Sequence, residues 1–135
     1  MSYQFAGFFT KPAVLLMELP SDAVGVQINT PFSGTGVRLR SFFGTTPSVD
    51  DIQKLAHKTG VSEAQQWMYL TYDCWGGAID FVYGFTSTNG ALSTPIEDSS
   101  LASVRASYLS LMNQFGIREE QALDFAPFSP GFWGD

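Results

Sequence analysis

Cysteine, histidine and charge are all scarce in this chain. The one cysteine, Cys74, has no second thiol to pair with, so nothing points to an oxidising compartment. The one histidine, His57, leaves no zinc-ligand spacing, and no nucleophile-elbow or dinucleotide fingerprint occurs either. Neither a cofactor nor a metal is therefore expected. Only 15% of residues are charged, and acids outnumber bases by 13 to 7, giving a net charge of −6. Such a balance disfavours nucleic acid and anionic membrane as partners, and leaves basic proteins or small molecules, since charge of this sign steers cations in. Long hydrophobic runs are missing too. The best, Ala13 to Met17, is too short for a signal peptide or membrane span, and MSYQFAGFFTKP has no basic leader region. A soluble, cytoplasmic, single domain spanning 1–135 is the expectation, with an aromatic, Pro- and Gly-bearing tail over 122–135.

Large rings are abundant. Aromatics make up 15% of the chain and 12 of them are phenylalanine, so rings must carry the core. Tyr3 to Thr10 reads as a first strand, weakened by Gly7. Ala13 to Leu19 is apolar on both faces, which suits a buried central strand, with a short helix as the alternative that periodicity alone leaves open. Pro20-Ser21-Asp22 signals a turn, and Val24, Val26, Ile28 and Thr30 alternate with Gly25, Gln27 and Asn29 as a half-buried strand does. After a loop through Gly34-Thr35-Gly36, Val37 to Phe43 alternates again, with Arg38 and Arg40 on one side. Ser48 caps a helix with Asp50 and Asp51 in its first turn and Gly60 as its stop. A second helix runs from an Asp98 or Ser99 cap through Leu101, Val104, Tyr108, Leu111, Met112 and Phe115, ending at Gly116 with Ile117 folding back on Met112. The fold class predicted is α+β: an antiparallel sheet of about five to six strands with two helices packed on one face.

Between the helices lies WMYLTYDCWGGAIDFVYGF, Trp67 to Phe85, two alternating segments about Gly76-Gly77. A two-residue turn opposes Cys74 to Ile79, Tyr72 to Phe81, Leu70 to Tyr83 and Met68 to Phe85, an apolar face that selects this register. The other face pairs Trp75 with Ala78 and Asp73 with Asp80, alongside Tyr69 and Trp67. Carboxylates directly opposite, about 5 Å apart, repel by about 3 kcal/mol at an effective dielectric near 20 and by under about 1 kcal/mol in full solvent. Arg38 and Arg40 are the internal charge partners for them; otherwise the acids sit on a wet face or await a basic partner residue.

Catalysis has little to work with. Cys74 falls on the predicted core face, where thiols are inert, and His57 is explained as a cation at a helix end. The Gly34-Thr35-Gly36 loop leads into a strand, so it lacks the helix terminus that holds phosphate. Rings beside acids are what surfaces for basic proteins use, so Asp73, Asp80, Trp75, Tyr69 and Trp67 are the partner-binding candidates. The structural alternative is that the tail, a helix or another strand covers these rings. The segment WGGAIDFVYGF is similar to hairpins of small bacterial immunity proteins, which neutralise toxins. That resemblance implies a partner-binding role for the surface bearing Asp73, Asp80 and Trp75. A non-enzymatic binding or inhibitor protein is the leading expectation. The alternatives are a small-molecule-binding domain or enzyme with a pocket lined by the hairpin aromatics, and a homodimer formed through the tail.

Overall fold

The structure, a computed structural model, describes residues 2–134. It is an α+β arrangement built on one antiparallel sheet. Its strands are β1 (Ser2–Lys11), β2 (Ala23–Ile28), β3 (Gly34–Leu39), β4 (Gln66–Trp75), β5 (Ala78–Thr88), β6 (Ala91–Leu92) and β7 (Ile96–Asp98). The helices are α1 (Val49–Thr59), α2 (Val104–Gln114) and a short α3 (Glu119–Leu123). The sheet order is β2-β3-β1-β4-β5-β6, and β7 also pairs with β5. Among the described residues no helix is long and apolar enough to cross a membrane.

Local chemistry sets the helix ends. The Ser48 hydroxyl accepts from the Asp51 amide at 3.1 Å, and Gly60 stops α1 in the left-handed region at φ 88°. At the end of α2, Gly116 has φ 81°, its amide donates to Asn113 O at 2.9 Å, and the Ile117 amide donates back to Met112 O at 2.9 Å. Those two bonds are the Schellman pattern, closed by burial of Ile117 and Met112. The Lys11 ammonium reaches the same helix end, donating to Phe115 O and lying 4.6 Å from the Phe115 ring centroid. Burial holds its pKa below the ordinary lysine value.

Both faces of the sheet are buried, and this corrects the expectation of two helices on one face. Alternation along β1 and β4 sends Phe5, Phe9, Met68, Leu70 and Tyr72 to one side, and Phe8, Trp67 and Tyr69 to the other. The first side packs against α2, α3 and the tail, and is called here the tail face; the second packs against α1, through Ile52 and Ala56. A sheet covered twice shows no polar side, so strand residues of either parity are apolar. Gly7 has its explanation here. A Cβ at that position would overlap the Val37 carbonyl oxygen of β3, so the glycine permits close approach of the two strands in the middle of a ten-residue β1.

Three further expectations are overturned. The run Ala13 to Leu19 is not a strand. Pro12 cannot donate to the ladder, and the chain beyond it crosses the α1 face, with Val14 N on the Thr35 hydroxyl at 3.1 Å and Met17 N on Thr59 O at 2.8 Å. Leu16 and Leu19 pack there, while Leu15 and Met17 are exposed. Strand β3 begins three residues before Val37 and stops at Leu39, giving way to a 3-10 turn over Arg40–Phe42. Helix α2 starts at Val104 rather than at Asp98 or Ser99. The Asp98 carboxylate instead collects the Ser100 amide and the Ser103 and Ser107 hydroxyls at 2.8, 2.8 and 2.5 Å, and Leu101 is left exposed.

The tail docks on its own chain. Phe125 and Trp133 are buried, the Trp133 indole donates to Pro127 O at 2.8 Å, and Phe128 stacks on Tyr72 at 4.6 Å between centroids.

Candidate functional site

The turn at Gly76-Gly77 folds as expected, with φ of 60° and 84°, and opposes Cys74 to Ile79 and Trp75 to Ala78. Beyond that the register differs. A β-bulge leaves Asp80 as an extra residue, so Asp73 opposes Phe81, Tyr72 opposes Val82, Tyr69 opposes Phe85 and Met68 opposes Thr86. Ile79 packs with the tail-face core, whereas Phe81, Tyr83 and Phe85 pack with the α1-face core. The expected single apolar face of the hairpin is therefore split between two cores. Its premise, that one face must be solvated, fails in a sheet covered on both sides.

The candidate residues part company accordingly. Tyr69 is wholly buried and Trp67 is 4% exposed, with Trp67 edge-on to Phe8 and Phe85 at 5.7 Å each. The α1 layer covers both, which corrects their placement on an outer face. Trp67 lines an open depression of about 280 Å³ together with Gln53 and His57. Trp75, in contrast, is 66% exposed at the hairpin end.

Asp73 and Asp80 are half-buried and remain electrostatic neighbours despite not being opposite. Partial burial and then the Asp80 charge raise the Asp73 pKa above the usual aspartate value, against a hydrogen bond from Gln4 Nε2 at 3.5 Å that lowers it. Gln4 stands directly across from Asp73 on β1. Arg38 lies on the tail face, two residues beyond Gly36, and lines an open cleft of about 420 Å³ with Tyr3 and Trp133. Arg40 acts on Asp22, whose carboxylate accepts from the Ser41 amide at 2.7 Å. The amide of Gln4, rather than either arginine, is the group that eases Asp73.

Gln4, Phe81 and Glu97 join the site although none is among the partner-binding candidates: the sequence places Phe81 on the core face and reads Glu97 as a solvated acid. Phe81 is only partly buried, and Glu97, exposed on β7, sits opposite Tyr83 and raises its pKa after burial has done so. Three consecutive apolar residues, Phe81-Val82-Tyr83, were the available sign that this strand is buried on both faces. Cys74 is half-buried against the tail-face core. Among the described residues no group of three or more His, Cys, Asp or Glu side chains converges as metal ligands would.

The Asp73–Asp80 coupling has a measurable sign. A carboxyl whose folded pKa exceeds its unfolded one stabilises the fold most below the unfolded value, near 3.9, and that contribution is lost as pH rises through the folded value. Asp80→Asn removes part of the upward push. Urea unfolding should show the variant more stable by about 0.5 kcal/mol at pH 7, the gain fading toward pH 3. Equal stability at every pH would mean the two acids do not interact.

Compared with family models, curated proteins and solved structures, the chain finds no match in any of the three.

Proposed function

We propose that this chain is a non-enzymatic partner-binding protein, of the inhibitor or immunity type, whose contact surface is the exposed end of the β4–β5 hairpin. The observation that carries the reading is Trp75, a large ring left in solvent on the strand that carries Asp73, whose pKa is raised first by burial and, least, by repulsion from Asp80. Among the described residues neither Asp73 nor Asp80 forms an ion pair. A cation brought by a partner would relieve that repulsion, and exposed tryptophans are frequent anchors of interfaces. Phe81 and Glu97 extend the patch in the same chemical sense. The partner is therefore a protein presenting Lys or Arg around an apolar recess.

The bulge supports the same reading. Removing Asp80 would leave Ile79 followed by Phe81, which already face opposite cores, so the remaining pairs would keep their partners without it. The extra residue is dispensable for register, and bulges often aim side chains at sites.

The test is affinity capture from the native host with four baits: wild type, Trp75→Ala, Asp73→Lys and a deletion of Asp80. A basic protein should be retained by wild type and weakened roughly 30-fold or more by loss of Trp75, as for a hot-spot residue worth about 2 kcal/mol. The Asp80 deletion should stay folded by circular dichroism yet bind weakly. Equal retention by all four baits, or recovery of a bound metabolite alone, would refute the reading.

A further inference from the structure

The two edges of the sheet are built differently. At the β5 side the edge is divided between β6 and β7, of two and three residues, and β7 carries Glu97 and Asp98. Short strands and charges are how edges are kept from pairing with other chains. The β2 side has neither device. Strand β2 reads AVGVQI over Ala23–Ile28, pairs among the described residues only with β3, and contains no Lys, no acid and no proline. No charged residue occurs anywhere between Asp22 and Arg38. The backbone bonds of β2 inside the sheet all go to β3, and the segment after Pro12 passes over the α1 face of β2 rather than along its edge: Leu16 sits where a Gly25 side chain would be. Beside that edge lies an open apolar groove of about 400 Å³ lined by Leu15, Leu16, Gly25 and Val26, with Leu15 87% exposed.

We infer that the β2 edge is a pairing surface for a second copy of this chain, joined strand to strand about a twofold axis into one continuous sheet. An exposed row of backbone donors and acceptors asks for a strand, and this strand is complementary to itself. Antiparallel pairing centred on Val26 sets Val26 against Val26 and Val24 against Ile28, all three being residues of the tail-face core. Gly25 then meets Gln27 on the other face. Centring between residues would instead place valines against Gly25 and Gln27, so burial picks the in-register form.

Charge favours the same occupant. Two chains of net charge −6 repel, but the acids Asp73, Asp80 and Glu97 lie on β4, β5 and β7, toward the opposite edge. Strand β2 is separated from β5 by four strand spacings, about 19 Å. Near β2 the charges are already mixed: Lys58 pairs with Glu18 at 3.8 Å and Arg40 acts on Asp22. Pairing through β2 thus joins the uncharged edges and leaves both acidic hairpin ends open.

Sedimentation of the full chain from low to high micromolar concentration tests this. Wild type should show a monomer–dimer equilibrium. Gln27→Lys, at an exposed position, should weaken it roughly three- to fivefold by setting like charges diagonally across the twofold. Leu15→Lys should weaken it too, and Leu101→Lys, equally exposed but remote, should not. Amides of β2 should exchange more slowly as concentration rises. A wild type monomeric throughout overturns the inference and leaves the edge to a strand from another protein. A dimer indifferent to Gln27→Lys, with circular dichroism unchanged, overturns it as well.

Discussion

A chain ending at Asp124 should fail to fold. The residues it lacks include Phe125 and Trp133, 4% and 5% exposed, and Phe128 stacked on Tyr72. Burial of one such ring removes 150–250 Å² from water, or about 4–6 kcal/mol at 25 cal/mol per Å². These are gross values, lowered by the order of a factor of two for side-chain entropy and unfolded-state compactness. Three rings still amount to a loss close to the 5–15 kcal/mol that holds a typical domain together. The rings they cover would also be wetted: Phe5 and Phe9 lie 5.5 and 6.4 Å from Trp133, and Phe9 lies 5.3 Å from Phe125. The truncated chain should show no near-ultraviolet circular dichroism and no cooperative melt. A sharp transition within a few degrees of wild type would mean that the tail is an accessory.

Gly7→Ala should be among the most damaging single methyl additions in the sheet. Its Cβ would run into the carbonyl oxygen of Val37 and come within 3.0 Å of the Phe5 ring. The first obstacle is backbone, so no rotamer relieves it. Strand β1 would have to draw away from β3 while staying paired with β4 over ten residues. Overpacking of this kind costs about 3 kcal/mol or more, enough to move the urea midpoint visibly. A midpoint within experimental error of wild type would show that β1 and β3 can separate locally. The same substitution at Gly77, in the hairpin turn, meets no atom of the described residues within 4 Å and involves only the φ of 84°.

How far the chain could be read in advance depended on the range of the forces involved. Ser48, Gly60 and Gly116 were legible because a cap is settled by residues three or four positions away. The Gly76-Gly77 turn was legible for the same reason. Gly7 was misleading: as a local signal it weakens a strand, but its role is set by Val37, thirty residues later. The stretch Ala13 to Leu19 has a strand's composition, and only tertiary contacts with Thr35 and Thr59 reveal it as a strap across the sheet. At the hairpin, the nearness of Asp73 and Asp80 was readable and the bulge between them was not. Assuming one wet face made a regular register look compulsory, and it put Trp67 and Tyr69 outside. The Phe81-Val82-Tyr83 run argued against that assumption.

The doubly covered sheet has a thermodynamic consequence of its own. Successive residues of β1 and β4 serve opposite cores: Phe8 belongs with Trp67 and Tyr69, while Phe9 belongs with Met68 and the tail. Neither layer has a private set of strands. Stripping α1 away exposes side chains rooted in the ladder that also anchors α2 and Trp133, and loosening the tail does the converse. Partial melting of one layer would therefore loosen the other's foundation before releasing much chain entropy. The two cores should share a single fate, and the molecule should unfold as one cooperative unit rather than by halves.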